Sequence, residues 1–132
     1  MSYKHNIIKE RFDLKITQAN DVVKGEFELD KHANELLGIV LTSDRDDLLF
    51  FRGTQKIQFN DQELFPEDFE SRLLMSGINV PPNDRIVKVG TPKAGNGRLE
   101  VWFKDKDHTS TRFVPYRVTI YAFSLVETEN NQ

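Results

Sequence analysis

The sequence predicts an all-β fold, an antiparallel sandwich of jelly-roll or Greek-key type with about eight strands and one short helix. Three observations carry that expectation. Apolar and polar residues alternate strictly over several stretches, most clearly from Arg98 to Leu125, where Leu99, Val101 and Phe103 share one parity and Val114, Tyr116, Val118, Ile120 and Ala122 share another. Polar turn clusters such as Gln18-Ala19-Asn20-Asp21 and Asn60-Asp61 recur between the apolar stretches. Only one segment, residues 66–76, has helical spacing.

Residues 1–11 carry Lys4, Lys9 and Arg11 against Glu10 and read as a flexible, mildly basic arm that could dock on a neighbouring subunit. The single domain is placed at 12–126, and 127–132 read as a loose polar tail. Phe12, Leu14 and Ile16 alternate with Asp13, Lys15 and Thr17, and Val23, Phe27 and Leu29 alternate with Lys24, Glu26 and Glu28, so the two stretches are expected to form a hairpin. Gly25 falls on the apolar parity, the mark of a bulge or a close backbone approach. ELLGIVLT, residues 35–42, is apolar on both parities, with Leu37, Ile39 and Leu41 on one side and Leu36 and Val40 on the other, as expected of a strand buried on both faces or of one turning a corner between sheets at Gly38. Ser43 to Asp47 reads as a polar loop before LLFFR.

The helix is expected over 66–76 because Pro66 suits a first helical position, Glu67 and Asp68 suit the positive end of the dipole, Phe69, Leu73 and Leu74 fall on one face, and Gly77 suits a stop. Val80-Pro81-Pro82-Asn83-Asp84 reads as a rigid turn, RIVKVG as a strand, and Gly90 to Gly97 as a glycine-rich loop.

Arg98 to Leu125 is expected to be one hairpin, registered so that Phe103 faces Val114, Val101 faces Tyr116, Leu99 faces Val118 and Glu100 pairs with Arg117. Trp102, Phe113, Tyr121 and Phe123 then share its outer face, with Arg98 and Asn96 nearby, and these six are the candidate interface or ligand residues.

Chemistry-bearing motifs are weak. The Gly90–Gly97 loop lacks the Lys-Ser/Thr pair and following helix of a phosphate-binding loop. Asp44, Asp46 and Asp47 lack the spacing of a calcium loop, and His5, His32 and His108 lie in separate segments. No catalytic residue, metal ligand or cofactor is therefore assigned, and the chain is not expected to be an enzyme. A net charge of -3 gives no overall basic field for nucleic acid. No apolar run reaches membrane-spanning length and residues 1–11 lack a signal-peptide core, so residence in a cytoplasm, or in a virion assembled there, is expected without membrane partners. The functional expectation is a non-catalytic assembly protein that self-associates or docks on protein partners, with a capsid component as its most concrete form. The alternative is a carbohydrate-binding module, with Trp102 and Tyr121 stacking on a glycan while Asn96 and Arg98 bond its hydroxyls.

Overall fold

The computed structural model describes residues 3–75, 87–92 and 97–129. Among the described residues, eight strands form two four-stranded antiparallel sheets. They are β1 (Tyr3–Ile16), β2 (Val22–Glu28), β3 (Ala33–Ser43), β4 (Gly53–Phe59), β5 (Gln62–Glu70), β6 (Val87–Pro92), β7 (Arg98–Asp105) and β8 (Tyr116–Glu129). One sheet has the order β1-β8-β3-β6 and the other β2-β7-β4-β5. The chain thus folds back on itself once: β1 pairs with β8, β2 with β7, β3 with β6 and β4 with β5. The point of reversal is Asn60-Asp61, where both residues take positive φ (50° and 66°), as a two-residue hairpin turn that matches sheet twist requires.

The core lies between the sheets. Leu14 and Ile16 of β1, Ile39 and Leu41 of β3, and Val118 and Ile120 of β8 face Ile57 and Phe59 of β4 and Leu99, Val101 and Phe103 of β7. The apolar parities of Arg98–Leu125 are thus both buried, but not as a hairpin. β7 hydrogen-bonds to β2 and β4, β8 hydrogen-bonds to β1 and β3, and residues 106–115 cross from one sheet to the other. Alternation says which face of a strand is buried, and two inner faces meeting across a sandwich satisfy it as well as one shared face does. The Phe103–Val114 register and the Glu100–Arg117 pair therefore do not form. Glu100 lies between Glu26 and Gln58, whereas Arg117 lies opposite Lys15.

The same error of partner applies to residues 12–29. β1 and β2 belong to different sheets, joined by a turn in which Asn20 has a φ of 62°. They meet at a corner where the Phe12 and Phe27 rings stack at 4.6 Å. Gly25 is crowded by side chains rather than by a bulge or another backbone: a Cβ would lie 2.6 Å from Leu14 Cδ2 and 2.6 Å from the Phe27 ring. Gly25→Ala is expected to lower stability by roughly 1–3 kcal/mol through overpacking, measured by chemical denaturation. An unchanged midpoint would show that the corner relaxes freely.

Residues 3–11 are not an arm but the first part of β1, laddered to β8 from Tyr3↔Glu129 to Ile16↔Tyr116, so β8 also takes in the start of the expected tail. In β3 the register shifts between Leu36 and Gly38, and the extra residue brings Leu36 onto the side of Ile39 and Leu41. Gly38 thus marks a bulge within one sheet, not a corner between two.

The expected helix at 66–76 is largely strand. Gln62–Glu70 is β5, an edge strand where Pro66 is tolerated because one side of the ladder is open, and only Ser71–Leu74 forms a 3-10 turn. Pairing with β4 overrides the local helix signals, and the residues after Met75 lie outside the described ones, as does the Val80–Asp84 turn. The α-helix sits earlier, α1 at Asp46–Arg52, with Asp46 and Asp47 in its first turn and Leu48 and Leu49 buried.

Candidate functional site

The six candidate residues do not share a face. Trp102 projects, half-buried, from the outer face of the β2-β7-β4-β5 sheet. Its cross-strand neighbours are Lys24 on β2 and Lys56 on β4. Their ammonium groups lie 4.9 and 5.3 Å from the ring centroid, within reach of the negative face of the indole. The indole is thus flanked by cations from both adjoining strands.

One row along, Glu26, Glu100, Gln58 and Glu63 run across the four strands. Lys24 bridges Glu26 at 2.9 Å and Glu100 at 3.4 Å. Arg98 reaches the same carboxylates at 3.0 and 3.5 Å. Hydrogen bonding to Lys24 holds the Glu26 carboxyl below its ordinary range, and the Glu100 and Glu26 charges raise the Arg98 guanidinium. Beside Trp102 a shallow depression of about 230 Å³ is lined by Val22, Thr54, Lys56, Glu67, Asp68 and Lys104 among others. Asp68 has a φ of 66° and bridges Lys106 at 2.9 Å.

Tyr121 and Phe123 stand on the opposite side of the molecule, on the outer face of the β1-β8-β3-β6 sheet. Register places Arg11, Tyr121 and Val40 in one row, Lys9, Phe123 and Gly38 in the next, and Ile7, Leu125 and Glu35 in a third. Tyr121, Phe123 and Leu125 are half-buried, and Ile7 is 58% exposed. The stripe is bordered along β1 by Lys9, Arg11 and Lys15 and continued on β8 by Arg117. Asp13 is the carboxylate in that border, held below its ordinary range by the Thr119 hydroxyl at 2.6 Å and by Arg11 at 3.1 Å.

Phe113 belongs to neither face. It lies in the 106–115 connection, 6.1 Å from the Tyr116 ring and 5.2 Å from the Arg52 guanidinium. Asn96 lies outside the described residues.

Sequence reasoning missed the cluster that Phe113 covers. Arg52, 2% exposed, grips both oxygens of the fully buried Asp105 at 2.9 and 2.7 Å and reaches Asp107 at 2.8 Å. Tyr116 donates its hydroxyl to Asp105 at 2.6 Å, and the Asn20 amide donates at 2.9 Å. Burial alone would raise the Asp105 pKa, but these donors outweigh it and leave the carboxyl below its ordinary range. Burial and the adjacent carboxylate push the Tyr116 hydroxyl upward. The cluster ties α1, β7, β8 and the turn after β1 together; Arg52, Asp105 and Tyr116 face one another away from solvent, while Asp107 stands at its exposed rim. The parity of Asp105, inward like Phe103, was the available signal.

A second depression, about 410 Å³, opens beside α1 between Phe50, Phe51, Arg72, Lys106 and His108. Phe51 lies 5.0 Å from the His108 ring. Among the described residues no three His, Cys, Asp or Glu side chains gather as a potential metal site. Asp44 instead accepts the Arg117 amide at 2.8 Å, and Asp47 pairs with Arg45 at 3.0 Å.

Comparison with protein-family models, curated proteins and solved structures finds no match. The two outer faces are left to speak for themselves.

Proposed function

We propose that this protein is a non-catalytic building block that associates through the outer face of its β1-β8-β3-β6 sheet, with a jelly-roll capsid or other shell component as the concrete form. The observation that carries the reading is the stripe formed by Ile7, Tyr121, Phe123 and Leu125. A continuous apolar strip bordered by charge on an otherwise polar sheet is the usual mark of a contact surface. The strand pairing adds support, because first with last, second with seventh, third with sixth and fourth with fifth is the pairing expected of a jelly roll, an architecture common in capsid and lectin domains.

The carbohydrate-binding alternative has less behind it. Trp102 and Tyr121 stand on opposite sides of the sandwich, and Lys24 and Lys56 already occupy the flanks of the indole. Light scattering over a range of concentrations is expected to give a defined oligomer, and a strict monomer at high concentration would sink the assembly reading. Quenching or a shift of Trp102 fluorescence on addition of an oligosaccharide would favour the alternative, since this is the chain's single tryptophan.

A further inference from the structure

We infer that the contact is heterologous and that its occupant is a second copy of this chain: the stripe face of one molecule docks on the Trp102 face of the next. The inference rests on the assembly reading and adds to it the partner and the orientation.

It follows from how charge is divided between the two outer faces. On the stripe face, the described side chains that border the apolar strip are mainly basic. Lys9 and Lys15 are exposed there and have no ion-pair partner among the described residues. On the Trp102 face acids predominate. Lys24 and Arg98 are consumed by Glu26 and Glu100, and the half-buried Lys56 and Lys104 beside the indole form no ion pair among the described residues, but the exposed Glu28, Glu63 and Glu67, likewise without an ion-pair partner among the described residues, outnumber them. Two copies meeting stripe to stripe would stack Lys9 and Lys15 against their own kind, an arrangement that like-charge repulsion disfavours. Meeting stripe to Trp102 face, the unpaired lysines of one molecule oppose the unpaired glutamates of the next. The Tyr121–Phe123 strip then covers the depression beside the indole. The faces lie on opposite sides of the sandwich, so each docked pair still offers one free copy of each face. Such contacts propagate into a ring or a filament instead of stopping at a dimer.

The test uses two charge-reversed proteins, K9E/K15E and E63K/E67K, with thermal unfolding to establish that each is folded. All four positions are solvent-exposed, so folding should be retained. Sedimentation or light scattering should show association of the unaltered chain that weakens roughly tenfold in high salt, because surface charges are screened. Each reversed protein alone should be dissociated, having two outer faces of like sign. An equimolar mixture should associate again, since every contact in it joins opposite charges. If K9E/K15E forms the same oligomer as the unaltered chain, or if the mixture stays dissociated, the head-to-tail contact is wrong while assembly itself stands. If the unaltered chain is a monomer, both fall together.

Discussion

Arg52→Ala is expected to cost roughly 3–5 kcal/mol of stability, the range found when one partner of a buried ion pair is removed. The guanidinium is 2% exposed and Asp105 is fully buried, so the change leaves a carboxylate with the Tyr116 hydroxyl and the Asn20 amide but no cation. Urea unfolding of the variant should show the loss as a lower midpoint. The pH dependence gives a second reading. The Asp105 carboxyl is depressed in the folded protein, so its contribution is fully present above the unfolded carboxylate value near 4 and is lost as pH falls through the lower folded value. The gap between Arg52→Ala and the unaltered protein should therefore be widest near neutrality and shrink in acid. The double variant Arg52→Met, Asp105→Leu should recover part of the loss, because an apolar pair leaves no buried charge unpaired, although the Tyr116 hydroxyl and the Asn20 backbone N–H lose their acceptor. A single variant as stable as the parent would mean that the cluster is solvated in solution.

Phe103→Ala should be comparably damaging, about 3–5 kcal/mol, for a different reason. Phe103 is 0% exposed, lies on the central strand β7, and meets Tyr116 of the other sheet edge-on at 6.2 Å. Its removal opens a cavity between two sheets whose backbones are fixed by ladders on both sides of β7, so little collapse can refill it. Phe103→Leu, which keeps most of the volume, should lose far less. A Phe103→Ala loss under about 1 kcal/mol would contradict a close-packed interior at this point.

Burial was legible in the sequence and strand partnership was not. Leu99, Val101, Phe103, Tyr116, Val118 and Ile120 all occupy the core their parity assigned them, because alternation reports the two faces of each strand independently. The partners of β7 and β8 lie far away in sequence, at Val22–Glu28 and Tyr3–Ile16, and no local pattern encodes such pairings. At 66–76 the local pattern misled: Pro66, Glu67 and Asp68 satisfy helix-start chemistry, yet the pairing of Ile57 with Phe65 and of Gln55 with Phe69 prevails. The candidate site suffered from the same limit. Trp102 and Tyr121 were each placed on an outer face, but a single shared face was inferred where there are two. The Arg52–Asp105 pair, 53 residues apart, joins the two most deeply buried charged side chains among the described residues, and only the topology brings them together.

The nested pairing of the strands has a consequence for how the molecule reaches its native state. With Asn60-Asp61 as the innermost reversal, β4 and β5 can zip at once, while the Tyr3–Glu129 contact joins positions that span almost the whole chain. The entropy of closing a loop grows only slowly with its length, about 0.6 kcal/mol per doubling. Ordered inside-out, each successive pair of strands closes onto ends that the previous pair has already drawn together. The outermost ladder, which carries Ile7 of the stripe on β1 and Tyr121, Phe123 and Leu125 on β8, is then the last to form. A chain so dominated by distant contacts belongs among the slow folders, and its outer apolar stripe comes into being only when the rest of the sandwich is complete.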